Sequence, residues 1–276
     1  MNYVLATVIV FLAGLHTSTW GMYKDAPQEG FTWPKYFRSA ITGAVLGAGT
    51  HYFTQWDLQH VPAARFVYWG LIYCLERAAT EFWKYFIREE DQSKYFIPMQ
   101  FGIMGKPMKD ATKRISIGLV VAAICFAIFF GLRALEKKWG ADVPTWLLVV
   151  TVGSIFGWIS AFGGAWKDAP IEGFETFKFF RSPGIAAFWA AILAHFTVSW
   201  VVLAIAAEGF TVAAIETYKT FFFPSRPRGK WAGKPVLHPE YLQIRKRFVP
   251  LWSGIWLLVI AHGIWAFTQP HLPFIF

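Results

Sequence analysis

Two copies of one charged segment are the feature of this sequence with the most potential for chemistry. Residues 24–39 read KDAPQEGFTWPKYFRS and residues 167–182 read KDAPIEGFETFKFFRS, and 11 of the 16 aligned positions are identical without a gap. Agreement of this length at one fixed offset indicates an internal duplication. Weaker matches follow in the same order. Glu81 and Lys84 have the same spacing as Glu216 and Lys219.

The repeated segment favours two kinds of binding chemistry. Its basic side chains, with a lysine from a later Gly-Lys-Pro triplet, predict a site for the phosphate of a lipid, a nucleotide or a phosphorylated solute. The candidate residues are Lys24, Lys35, Arg38 and Lys106 in the first half and Lys167, Lys178, Arg181 and Lys234 in the second. Its carboxylates are weaker candidates for binding a divalent cation through oxygen. These are Asp25, Glu29, Asp168 and Glu172.

A purely structural interpretation of the segment competes with both. In it, the aspartate caps a short helix, the proline lies in the first turn and the glycine ends that turn. The residues concerned are Asp25, Pro27 and Gly30, and in the second copy Asp168, Pro170 and Gly173. On this interpretation the segment is a capped, salt-bridged corner between two membrane helices.

Ionisable residues within apolar stretches form the second group of candidates, because such residues are costly in a membrane and usually functional. They are His16, His51, His195, His262 and Glu76. His51 follows Arg38, and His195 follows Arg181, at separations that differ by a single position. At about 1.5 Å per residue, both are expected at about 20 Å from the same membrane surface.

A matched pair of histidines predicts either a substrate or proton-relay site on an axis between the halves, or two axial ligands of one haem b. The alternative is a neutral imidazole that is hydrogen-bonded to a neighbouring helix. Glu76 has no obvious local partner, whereas Arg77 and Glu81 are spaced one helical turn apart and can pair on a helix.

The elements that carry these residues are predicted by composition. The chain is 276 residues long, 55% hydrophobic and only 16% charged, against about 25% charged in soluble domains. With two cysteines and long apolar blocks, it is neither a disordered chain, nor a disulfide scaffold, nor an ordinary soluble enzyme. The composition predicts an all-α, polytopic integral membrane protein.

Hydropathy gives six clear spans and two weaker ones. The clear spans are 3–22, 38–56, 115–134, 146–166, 184–206 and 251–268, and the weaker ones are 63–84 and 209–225. With all eight, 21 Lys and Arg residues fall on one side of the membrane and four on the other. The positive-inside rule therefore favours eight spans, with both termini on the non-cytoplasmic side of a membrane that we expect to be the cell inner membrane.

Eight spans divide into two halves, residues 1–140 and 141–276, with four helices each. Because four is an even number, the halves are expected to be parallel repeats related by a pseudo-twofold axis along the membrane normal. Gly/Ala-rich stretches suit close helix packing, and the many Trp and Tyr side chains suit the membrane interfaces.

Three functions stay open on the sequence alone. The first is a transporter or channel-like protein, with its substrate near the intramembrane histidines. The second is a haem- or pigment-associated or structural subunit of a larger membrane complex, and the third is an enzyme acting on a phosphate-bearing lipid. The expected partners are anionic lipid headgroups on the cytoplasmic side and a homo-oligomer or larger complex, and not nucleic acid. The sequence has no Walker, HExxH or GxSxG motif.

Overall fold

A computed structural model describes residues 2–140, 142–224 and 229–270, and this part of the chain is helical apart from one small hairpin. Residue 141, at the predicted boundary between the halves, lies outside the described residues. The helices are α1 (Asn2–Glu29), α2 (Trp33–Thr54), α3 (Pro62–Phe82), α4 (Ala111–Trp139), α5 (Thr145–Thr151), α6 (Ile155–Glu172), α7 (Thr176–Leu193), α8 (Trp200–Thr217), α9 (Tyr241–Ile244) and α10 (Val249–Thr268).

Short elements extend or connect these helices. A π-helical turn continues α3 over Trp83–Ile87, and another continues α8 over Tyr218–Phe222. The hairpin pairs β1 (Gly102–Ile103) with β2 (Lys106–Pro107) in antiparallel register and lies between α3 and α4. Single 3₁₀ turns occur at Gly229–Trp231 and at Arg245–Phe248.

Five helical segments are long and apolar enough to cross a membrane. They are Tyr3–Glu29, Ala111–Trp139, Thr145–Glu172, Trp200–Phe222 and Tyr241–Thr268. The helix α4 shows why the surroundings must be apolar, since Leu119, Phe126 and Phe130 are each more than 60% exposed on its surface. Exposed apolar area on this scale is typical of contact with lipid rather than water.

The centre of the molecule is the contact between α3 and α8, which are the most completely buried helices. The two backbones meet at Gly70 and Gly209, where a Cβ on Gly209 would fall against the carbonyl oxygen of Gly70. Small residues at a crossing let two helices in a membrane approach closely, so that packing replaces the missing hydrophobic force. On the flanks of this pair, α1 packs on α2, α6 packs on α7, and α10 packs on α3.

The predicted boundary between the spans 184–206 and 209–225 is wrong. The long apolar stretch is divided earlier, because α7 ends at Leu193 and α8 begins at Trp200. The start of α8 is stabilised by a carboxylate, since Glu136 Oε2 accepts a hydrogen bond from the Trp200 backbone N–H at 3.1 Å. A negative charge at a helix N-terminus is favourable, and average hydropathy does not detect it.

The predicted short capped helix at the repeated segment is also wrong. Asp25 and Pro27 lie in the last turns of α1, and Asp168 and Pro170 lie in the last turns of α6. A proline inside a helix leaves the carbonyl one turn earlier without its usual donor. In α1 that carbonyl belongs to Tyr23, and it accepts a hydrogen bond from Arg245 Nη1 at 3.0 Å.

Candidate functional site

Both copies of the repeated segment form the same tight corner. Gly30 and Gly173 follow the last residues of α1 and α6 with positive φ values of 71° and 84°, a conformation that favours glycine. Each glycine N–H donates to the carbonyl one turn earlier, on Ala26 or Ala169, at 2.9 Å. The helix that ends at each glycine is the long α1 or α6 and not the predicted short one, and the next helix starts at the equivalent position in each copy.

Acid–lysine pairs fasten each corner. Lys35 pairs with Glu29 in the first copy, and Lys178 pairs with Glu172 at 2.9 Å in the second. Lys178 also lies 2.7 Å from Asp168. The predicted metal ligands are therefore paired with lysines, and no group of three or more metal-ligating side chains occurs within residues 2–140, 142–224 and 229–270.

Two loops cover the corners crosswise. The strap, which we define as residues 229–240 of the second half, lies on the first corner, where the N–H groups of Leu237 and His238 donate to Pro27 O at 3.0 and 2.9 Å. The hairpin of the first half lies on the second corner, where Trp166 Nε1 donates to Gly102 O at 3.1 Å. The turn glycines of the two loops, Gly105 and Gly233, both have positive φ.

The strap is held by Asp25, one of the predicted metal ligands. Lys230 lies 2.9 Å from Asp25, and Trp231 Nε1 donates to the same carboxylate at 2.8 Å. Tyr95 donates to Glu90 at 2.9 Å and to Glu29 at 3.4 Å. Burial and then these carboxylates raise the pKa of the Tyr95 phenol, so it stays protonated and able to donate.

The predicted anion-binding residues do not form one group in each half, as the sequence suggests, because each loop covers the corner of the other half. Lys106 lies beside Lys167, because both line a small recess under the hairpin. Lys234 donates to Ser93 O at 2.8 Å, and Lys24 lies 3.3 Å from Glu216. Arg38 is exposed to the surroundings.

The predicted histidine pair has two different environments. His51 is buried in the last turn of α2, with its ring edge against Tyr3 at 4.6 Å. His195 is exposed after the end of α7 and stacks on Phe267 at 4.8 Å. Bis-histidine haem ligation needs two imidazoles that face each other across one flat cavity, and these contacts do not fit that arrangement. His262 lies against Trp265 in α10.

His16 lies instead in an aromatic cluster between α1, α3 and α10. Its Nδ1 is 3.0 Å from the hydroxyl of Tyr73, which also accepts a hydrogen bond from Trp20 Nε1 at 2.9 Å. The rings of Trp252 and Trp256 lie 6.0 and 5.3 Å from the imidazole. This histidine is fully buried, and its surroundings are packed side chains.

A chain of paired charges follows this cluster along α3, and two of its members, Glu76 and Arg77, are buried. Arg77 pairs with Glu81, as the helical spacing predicts, and Glu76 lies 3.8 Å from Arg77. Lys84 lies 2.9 Å from Glu81. In α8 the corresponding acid, Glu216, is 3.3 Å from Lys219 and 3.3 Å from Lys24 of the other half.

A cavity of about 180 Å³ lies beside the second copy of the repeated segment. Its walls belong to α6, α7 and α8. The ionisable residues that line it are Asp168, Glu175, Lys178, Arg181, Glu208, Glu216 and Lys219. Gly164 also lines it, and a Cβ there would meet no atom within 4 Å.

Glu208 is the functional candidate that sequence reasoning missed. It is 6% exposed and lies in the middle of α8, within the span Trp200–Phe222. Ser160 Oγ of α6 donates to its Oε1, and its Oε2 accepts no hydrogen bond from the described residues. The hydropathy pattern places Glu208 in a gap between two spans. Aligning Glu216 with Glu81 pairs Glu208 with Tyr73 in the sequence, and this alignment would have placed Glu208 inside a helix.

Arg114 is a second missed residue, with a structural role. It is 1% exposed, and it donates to Phe86 O and to Met108 O, both at 3.0 Å. These bonds join the start of α4 to the π-helical turn after α3.

Comparison with known proteins adds no relative to this geometry. The chain matches no protein-family model, no curated protein and no solved structure. The fold and the cavity define a helical protein with segments long and apolar enough to cross a membrane, and with a cavity that seven ionisable residues line.

Proposed function

We propose that this chain is a transporter or channel-like membrane protein whose substrate site is the cavity between α6, α7 and α8. The observation that carries the proposal is Glu208, a carboxylate buried inside an apolar span, with one oxygen that accepts no hydrogen bond from the described residues and a cavity beside it. Ionisable groups are kept at such places because they serve substrates or ions. Glu76, the buried carboxylate of α3, has a cation, Arg77, at 3.8 Å, whereas Glu208 has no ion-pair partner among the described residues.

We further propose that the protein crosses the membrane eight times, with α2, α3 and α7 added to the five apolar segments. This is supported by charge, because eight crossings bring 21 Lys and Arg residues to one face. That face, which we call the basic face, would be cytoplasmic, with both termini on the opposite side of the inner membrane. Its lysines and arginines would attract anionic headgroups by about 1 kcal/mol each.

Two parallel four-helix repeats around a pseudo-twofold axis are the third part of the proposal. Equivalent contacts support it. Gly14 of α1 lies against Ser39 of α2, and Gly157 of α6 lies against Ser182 of α7, so both pairs keep the offset between the two copies of the repeated segment. The π-helical turns end α3 and α8 at matching positions, and α3 and α8 meet at the centre.

Cysteine accessibility tests the transport function without knowledge of the substrate. Cys74 and Cys125 are first replaced by Ala, and Gly164→Cys then introduces a thiol into the cavity wall. In sealed vesicles of both orientations, a membrane-impermeant trimethylammonium methanethiosulfonate is applied to one face at a time. A transporter or channel must open this site to both faces, so we expect modification from either side. Modification from the basic face alone would contradict transport and is what a lipid-modifying enzyme would give.

Three control positions fix the sidedness of this experiment. Ser93→Cys is expected to react only from the basic face, and His60→Cys only from the opposite face. Gly254→Cys, on the exposed apolar surface of α10, is expected to stay unmodified. If Ser93→Cys and His60→Cys reacted from the same face, the eight-span topology would be wrong.

A further inference from the structure

The first half contains a filled version of the cavity. Trp20 of α1 corresponds to Gly163 of α6 when the two copies of the repeated segment are aligned. Tyr73 and Arg77 of α3 correspond to Glu208 and Val212 of α8. This second alignment is fixed by the matching Glu-x-x-Lys pairs and the matching π-helical turns.

The groups that fill the first half are N–H donors, one of them cationic. The indole Nε1 of Trp20 donates to the hydroxyl of Tyr73 at 2.9 Å. The guanidinium of Arg77 lies 5.3 Å from the Trp20 ring and pairs with Glu81 and Glu76. A planar cation stacked near an indole is a favourable arrangement in a buried site.

The second half has lost both groups and gained an acid. Gly163 has no side chain, and a Cβ built on its neighbour Gly164, which lines the cavity, would meet nothing within 4 Å. Val212 offers no charge. Glu208 replaces the neutral phenol of Tyr73 with a carboxylate. The wall of the cavity therefore has an acceptor at the level of the Tyr73 hydroxyl, but it lacks the donors that the filled half supplies.

The charges of the wall favour a cationic ligand over an anionic one. Four acids and three cations line the cavity. Lys178 already pairs with Asp168 and Glu172, and Lys219 already pairs with Glu216. Along α8, Glu208 and Glu216 are separated by about 12 Å, which is about two helical turns. A cation at the level of Val212 would lie between these two carboxylates.

We propose that the cavity binds a small organic cation with an ammonium, amidinium or guanidinium group, whose N–H donors bind Glu208. This inference rests on the proposed function and specifies its substrate class. Its geometry repeats that of the filled half, with the ligand in place of the Trp20 indole and the Arg77 guanidinium. A charge-assisted hydrogen bond in a site shielded from water gives such a ligand its selectivity over a neutral molecule of the same shape.

Equilibrium binding to the detergent-purified full chain tests the proposal. The probes are benzamidine, which is a planar cation, benzamide, which is its neutral isostere, and benzoate, which is its anionic counterpart. Calorimetric titration is expected to give saturable binding of benzamidine alone. Glu208→Gln keeps the hydrogen bond with Ser160 and removes the charge, so it should weaken benzamidine binding about 10- to 100-fold.

A second variant fills the cavity without touching Glu208. Gly164→Trp places an indole in the wall of the cavity and is expected to abolish benzamidine binding, whereas Gly254→Trp on the exposed face of α10 should leave it unchanged. Unliganded melting and size-exclusion profiles that match the wild type show that each variant is folded. Binding of benzoate in place of benzamidine, or unchanged benzamidine binding in folded Glu208→Gln and Gly164→Trp, would overturn the proposal.

This result is independent of the accessibility experiment. A cavity that opens to both faces but does not bind benzamidine would keep the transport function and remove the ligand class. A cavity that binds benzamidine through Glu208 but opens to one face would keep the ligand site and remove transport.

Discussion

The regions around the two copies of the repeated segment have the same local features but differ in how their interiors are filled. Both have the same glycine corner, the same acid–lysine pair and the same π-helical turn after the central helix. In the first half the interior is filled by Trp20, Tyr73 and Arg77, whereas in the second half a cavity lies beside Glu208. The first interior is therefore packed, whereas the second has a buried carboxylate in the wall of a cavity.

Such a division has a physical reason. Filled interiors gain dispersion contacts and paired polar groups, and open ones forgo both. A protein with two equivalent cavities would lose this stabilisation twice. The filled half thus compensates for the open half, and the comparison predicts that matched substitutions in the two halves have unequal effects.

The largest effect on the free energy of unfolding is expected when the packed interior of the first half is opened. Trp20→Gly removes a ring that is 6% exposed and the donor to Tyr73, so it should lower the free energy of unfolding by about 4 kcal/mol. The reverse change, Gly163→Trp, enters open space and should alter it by less than about 1 kcal/mol. Unfolding of the purified variants in a denaturing detergent measures both. Equal losses from the two substitutions would show that the halves are packed alike.

A smaller effect on the free energy of unfolding is expected from Arg77, whose charge has no counterpart at Val212. Arg77→Met leaves Glu76, which is 1% exposed, without its cation and should lower the free energy of unfolding by about 3 kcal/mol. Val212→Met at the matching position of α8 should change it by less than about 1 kcal/mol, because it faces the cavity. The same detergent unfolding compares them. The double variant Glu76→Gln/Arg77→Met should recover much of the loss, and no recovery would mean that the arginine acts through packing alone.

Sequence patterns predict the frame well. The glycine corners follow from the duplicated segment, and the pairing of Arg77 with Glu81 follows from helical spacing. Apolar length and composition predict a membrane protein, and five helices meet that requirement. These features depend on residues that are close in sequence, which is why local patterns are sufficient.

The interior is poorly predicted because it depends on contacts between distant residues. Hydropathy places Glu208 between two spans, since averages do not detect the turn that Glu136 stabilises before Trp200. Asp25 resembles a helix cap in the sequence, but its partners come from the strap near the other end of the chain. The strap and the hairpin each cover the corner of the other half, and these contacts between distant residues produce no periodic pattern in the sequence.

The smallest effect on the free energy of unfolding is expected at the strap and the hairpin. Lys230 joins the strap to Asp25 at 2.9 Å and to Glu29 at 3.4 Å with only 13% of its side chain exposed, whereas Lys106 of the hairpin is exposed. Lys230→Met should therefore lower the free energy of unfolding by about 1 kcal/mol, and Lys106→Met should change it by less than about 0.5 kcal/mol.

Hydrogen exchange distinguishes a local effect of Lys230→Met from a global one. Exchange should become faster at the N–H groups of Leu237 and His238, which donate to Pro27 O, and stay unchanged in α8. Trp231 still donates to Asp25 in this variant, so the strap should loosen rather than detach. Faster exchange in both covers after Lys230→Met alone would mean that the two corners are coupled through α3 and α8. In that case the filled half would influence the open one as well as stabilise it.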